Sequence, residues 1–125
     1  MDRRDALKTL AVAALPASAA TNPIQLHVDL EVDPAREKEM VANYAQQFRP
    51  TIRKQPGFAD VKLLKLRSAV AGPKPGNATY RLIISFQTEE QRQKWVATDE
   101  HQRVWPTIEK TLKGAKYGAL LYDPV

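Results

Sequence analysis

The stretch KWVATDEHQRVW, Lys94 to Trp105, holds both tryptophans of the chain and one of its two histidines. An indole offers a flat apolar face to an aromatic molecule. An imidazole, with an ordinary pKa of about 6.5, exchanges its proton near neutrality. Together they match a site that holds a ring and takes a proton from it. They also match two core anchors with a solvated histidine between them, and composition alone does not separate the two.

Spacing divides the three residues. Trp105 lies four residues after His101, three before Ile108 and seven before Leu112, a helical apolar series that marks it as a core anchor. Trp95 lies four residues after Gln91 and reads either as core filling or as the wall of a pocket. His101 follows Asp99, an expected N-cap, so it falls in the first turn of a helix. The positive end of the helix dipole there weakens its hold on a proton, and a neutral imidazole is what a general base requires. His101 and Trp95 are therefore the candidate catalytic pair. Tyr44, Phe48, Tyr80 and Phe86 join Trp95 as candidate substrate-binding walls between helices and sheet, with ordinary core packing as the alternative. Arg49 and Arg81 are the arginines considered to balance a phenolate.

Other chemistries find no support. The chain has no cysteine, so disulfides, thiolate metal sites and cysteine nucleophiles are out of reach. His27 sits among Gln25, Asp29 and Glu31 on the polar side of its segment, apart from His101, and no metal site is expected. No glycine-rich phosphate loop, dinucleotide fingerprint or serine elbow occurs. The formal charge of +5 comes from 19 basic and 14 acidic residues interspersed without a basic block. That describes a mixed solvated surface and argues against nucleic acid as a partner.

The elements that must position these residues follow from periodicity. Ile24 to Val32 alternates strictly, apolar at even positions and polar at odd ones, a half-buried strand. Asp33-Pro34 opens a helix, whose apolar face is expected at Val41, Tyr44, Ala45, Phe48 and Ile52. Pro50 is expected to bend or end it early, and Gln55-Pro56-Gly57 to stop it. A strand from about Phe58 to Arg67, the turn-rich loop Ala69–Ala78 and a strand over Thr79–Gln87 form a hairpin. Thr88-Glu89-Glu90-Gln91 is a capping box for a short helix carrying Trp95. The Asp99 helix is expected to run through Lys113 to a stop at Gly114, before a last strand over Tyr117–Asp123. The order β-α-β-β-α-β predicts an α+β ferredoxin-like sandwich, a four-stranded antiparallel sheet with helices on one face. The other face, expected to carry Ile83, Val61 and Leu63, calls for a second sheet, most simply that of a symmetric partner in a homodimer.

The segment 1–20 is set apart. Its charged start, apolar run Leu10–Leu15 and small residues Ala17, Ser18, Ala19 and Ala20 predict a cleaved signal peptide. The apolar run is too short for a stable membrane anchor. Asp2-Arg3-Arg4-Asp5-Ala6-Leu7-Lys8 resembles the twin-arginine export motif, with Ala6 at the usual Phe. Export to the periplasm or cell exterior is the expectation, and residues 21–125 form the single folded domain.

That domain resembles the antibiotic biosynthesis monooxygenase superfamily. The resemblance is carried by FRPTIRKQPGF (Phe48 to Phe58), FQTEEQRQKW (Phe86 to Trp95) and the W-x5-H element joining Trp95 to His101. It implies a dimeric α+β barrel of ferredoxin-like protomers. For activity it implies a cofactor-independent monooxygenase that oxidises quinols or polyphenolic aromatics with O2. Relatives that bind and degrade heme place an asparagine on the first strand, which this chain lacks. A heme-degrading role and a non-catalytic dimeric module for a small ligand remain as alternatives.

Overall fold

The computed structural model describes residues 23–125, so the expected signal segment 1–20 lies outside the described residues. Strand β1, Ile24–Val32, runs as its alternation predicts. Ile24, Val28, Leu30 and Val32 are buried, while Gln25, His27, Asp29 and Glu31 turn to the other face. Asp33 caps the next turn, its Oδ1 accepting the Ala35 N–H at 2.9 Å. Pro34–Arg36 forms a 3-10 turn, and helix α1, Glu37–Asn43, follows.

A π-helical turn, Tyr44–Phe48, then leads into α2, Arg49–Ile52. The chain stays helical through Pro50, contrary to an early stop there. Proline has no N–H to donate four residues back. The wider π turn resets the register ahead of it, the Arg49 N–H donating to the Tyr44 carbonyl five residues earlier. The buried face changes accordingly. In a regular α-helix every fourth residue drifts about 40° around the axis, and the π turn takes up that drift. Met40, Tyr44, Phe48 and Ile52, spaced by four, therefore form the core row. Val41, expected on that face, is 40% exposed.

Strands β2 (Phe58–Lys65) and β3 (Tyr80–Phe86) form the hairpin. Thr88 caps α3, Glu89–Val96, its Oγ1 accepting the Gln91 N–H at 3.1 Å. Thr98, rather than Asp99, caps α4, Asp99–Glu109, its hydroxyl oxygen accepting the His101 N–H at 3.1 Å. This helix ends earlier than Lys113. The buried Thr111 hydroxyl donates to the Ile108 carbonyl, and the Asp33 N–H takes up the Thr111 carbonyl. Strand β4, Leu112–Tyr122, accordingly begins at Leu112. Between Val32↔Leu112 and Leu30↔Tyr117 it bulges, and Gly114 and Ala115 adopt positive φ there. Gly114 makes this bulge and does not stop the helix.

The sheet order is β2-β3-β1-β4, all neighbours antiparallel, with the helices on one face. This is the ferredoxin-like α+β sandwich that the element order predicts. Val61 and Leu63 pair with Ile84 and Leu82 and pack on the helix side, so they do not belong to the open face. That face carries Ile83 with Leu64, Leu120 and Tyr122, and Leu120 is 56% exposed.

Gly57 joins α2 to β2 at φ +80°, directly beneath the Gln91 side chain, where an added Cβ would lie 2.0 Å from Oε1. Gly57→Ala is expected to cost about 1–3 kcal/mol. On thermal melting that is a fall of roughly 4–8 °C per kcal/mol; an unchanged melting temperature would mean that residue 57 does not hold this positive φ.

Candidate active site

The capping of α3 and α4 by Thr88 and Thr98 sets two helices end to end, and the turn between them brings Trp95 and His101 together. Their ring centroids lie 5.0 Å apart with the planes at 81°. Trp105, one helical turn on, stacks at 6.5 Å from His101 with 20° between planes, and meets Tyr117 of β4 edge-on at 5.2 Å. Phe48 approaches Trp95 at 6.0 Å and Trp105 at 6.4 Å, both edge-on. Such edge-to-face pairs contribute about 0.5–1.5 kcal/mol each beyond the area they bury, so the five rings fix one another.

These rings bound a cavity of about 180 Å³ between α3, α4 and the β1–β4 side of the sheet. Leu26, Val28, Leu82 and Ile84 floor it, and Arg92 closes one side. Trp95 is 3% exposed yet lines this space, so it is both core and wall. Trp105, read from spacing as a core anchor, is only partly buried and forms the opposite wall. His101 is half-buried, and its proton affinity is lowered first by burial and second by the Arg92 charge. Both causes oppose an added positive charge. Nδ1 lies 3.4 Å from Gln102 Nε2, and Nε2 has no hydrogen-bond partner among the described residues. The arrangement can accept a proton from a group held between the two indoles.

Of the expected walls, only Phe48 and Trp95 line this cavity. Tyr44 is buried under the Arg49 guanidinium, 5.4 Å from its ring, and burial raises its phenol pKa. Phe86 is fully buried, edge-on to Phe58 at 6.1 Å. Tyr80 stands at the far end of β3, its hydroxyl donating to Glu37 Oε2 at 2.6 Å. Burial and that carboxylate push its pKa up to about 12. Tyr80 borders instead a larger hollow, about 360 Å³, under the hairpin loop. That hollow has mostly exposed walls and contains neither tryptophan nor histidine. Arg81 forms a paired ion bridge with Asp29 at 2.8 and 3.1 Å on the opposite sheet face, away from the cavity. His27 is also on that face, as its neighbours in sequence predict, 4.6 Å from the Tyr122 ring. The residue that sequence reasoning passed over is Arg92. Its spacing, three before Trp95, carried the signal, but arginine on a short polar helix reads as surface.

Comparison with known proteins agrees with the fold. The sequence profile of the antibiotic biosynthesis monooxygenase family matches residues 23–105. A dimeric ferredoxin-like protein of unknown function from Jannaschia superposes with a TM-score of 0.70 at 12% identity, covering 82% of this chain and 99% of its own. A mutant of SnoaB, a cofactor-independent oxygenase from Streptomyces nogalater, gives 0.65 at 14% identity, with 82% and 93% covered. A protein of the ethyl tert-butyl ether D family from Bacillus halodurans gives 0.63 at 18%, with 82% and 99% covered. No curated protein matches the sequence.

The depressed His101 pKa has a stability consequence. The unfolded chain binds the proton near pH 6.5, the folded chain only at lower pH, so stability falls as pH drops through that window and levels off below the folded value. Melting curves of the wild type and His101→Gln should therefore diverge below about pH 6.5, the variant losing less stability. Parallel curves would mean that His101 is not desolvated.

Proposed function

The chain belongs to the antibiotic biosynthesis monooxygenase family, and from that premise we propose that it is a cofactor-independent monooxygenase of small electron-rich phenols or quinols. The observation that carries this reading is the cavity in which a half-buried, proton-poor imidazole stands between two indoles. Size narrows the substrate. A closed cavity of about 150 Å³ accommodates benzene, so about 180 Å³ has room for one substituted ring.

In the proposed reaction His101 takes the hydroxyl proton and leaves an electron-rich phenolate. The phenolate gives an electron to O2, and the reduced oxygen then bonds to a ring carbon that carries hydrogen. Loss of that hydrogen with cleavage of the O–O bond yields a quinone carbonyl and water. One oxygen atom enters the product and one the water, so no outside reductant is consumed. The protein's tasks are proton removal, ring placement and exclusion of water. Trp95, Trp105 and Phe48 hold the ring.

Two further parts of the proposal rest on less. The open sheet face, with Leu64, Ile83, Leu120 and Tyr122 among polar residues, supports a homodimer joined through that face. The twin-arginine-like start supports export as the setting.

Oxygen uptake by the purified protein with a panel of single-ring hydroquinones and catechols tests the activity, with chelator present and no cofactor added. His101→Ala should lower the turnover rate by roughly 10²–10⁴-fold, and Trp95→Phe should weaken it through poorer ring placement. Uptake indifferent to His101→Ala would remove the histidine from the chemistry. Binding of these rings without any uptake would make the chain a small-ligand binding module.

A further inference from the structure

Arg92 is the one charged side chain on the cavity wall. It lies on α3, its side chain 18% exposed. Its Nε donates to Glu89 Oε1 at 2.6 Å and its Nη2 to Glu89 Oε2 at 2.7 Å. A guanidinium has five N–H groups, and this pairing uses two. The remaining three find no acceptor among the described residues. Those three are free to donate to a group held in the cavity. From the sheet the cavity is lined by Leu26, Val28, Leu82, Ile84 and Ala119, which offer no side-chain acceptor, and by Tyr117, whose phenol makes no hydrogen bond to Arg92. From α4 it is lined by His101, whose ring nitrogens do not bond Arg92, and by Trp105, whose indole is a donor only.

Glu89 holds the guanidinium in place, and the Arg92 charge lowers the proton affinity of His101. Glu89 is itself anchored in the first turn of α3, where its carboxylate also accepts from Gln93 at 2.8 Å. The cavity thus holds a fixed positive fork beside a base and two indoles.

We propose that Arg92 is a catalytic residue that receives the substrate's phenolate oxygen, and that Glu89 is its positioning residue. The inference rests on the oxygenase reading for its chemistry, and it specifies the substrate: a ring whose ionisable hydroxyl lies at Arg92 when the ring lies between Trp95 and Trp105. Deprotonation moves the proton from that hydroxyl to His101. The negative charge then forms against the guanidinium in a water-poor site, where a preorganised donor is most effective.

The experiment uses 4-nitrophenol, a single-ring phenol whose ionised form alone is yellow, titrated with pH in free solution and bound to the purified protein. The bound probe should ionise roughly one unit lower, a tenfold preference for phenolate. Arg92→Gln should abolish the shift, Arg92→Lys should keep part of it, and Glu89→Gln should give an intermediate value. His101→Ala should retain the shift, which separates the fixed charge from the base. A bound probe without the shift, the same shift in Arg92→Gln, or no binding to the wild type would each overturn the proposal. Circular dichroism of Arg92→Lys guards against misfolding as the cause of a loss. If the shift is present while oxygen uptake is absent, the anion site stands and the oxygenase reading fails.

Discussion

Phe48 touches both tryptophans of the site, and its place depends on the π turn that carries α1 past Pro50. A regular helix would rotate a row spaced by four steadily away from the sheet, and Pro50 would leave it without a donor. The Tyr44–Phe48 turn keeps the row on the sheet, and the chain stays helical through Pro50. Phe48 then sits 1% exposed against the edges of Trp95 and Trp105, and those rings bracket His101. Helical register, aromatic packing and the cavity are consequences of one backbone adjustment. π turns in helices often mark functional sites, and this one places a ring of the candidate cavity.

The electrostatics of the cavity follow from the same packing. Apolar strand residues and indole faces remove water from one side of His101, so the imidazole stays neutral. Arg92 adds a charge of the sign that keeps it so. A site that disfavours an extra positive charge at rest accommodates a transferred proton more easily once a negative phenolate forms nearby. In the proposed reaction, base and cation serve successive moments of one proton transfer.

Much of the frame was legible because alternation and capping are local. Ile24 to Val32 reads as a strand from its pattern alone, and Thr88 with Gln91 announces α3. The errors fall where two local readings compete. Thr98 and Asp99 are both good caps, and the hydroxyl takes the role. Leu112 completes a helical series after Trp105 and Ile108, yet it is equally buried as the first residue of β4, where it pairs with Val32. Val61 and Leu63 lie in a strand without clean alternation, so their face was settled only by pairing with Ile84 and Leu82. In the site, Trp95 and His101 were recognisable because six residues across a capped turn bring them together. Tyr80 and Phe86 share the inward face of β3 but stand at its two ends, and periodicity does not report position along a strand.

The central claim is that an aromatic ring enters between Trp95 and Trp105. The chain has only these two tryptophans, so a nitrogen–proton correlation spectrum shows their two indole N–H signals apart from all others. Anaerobic titration with hydroquinone should move both signals along one binding curve, together with the His101 backbone amide. If both indole signals stay fixed while residues of the Ala69–Pro75 loop respond, the ring binds under the hairpin and the account given for this cavity is wrong.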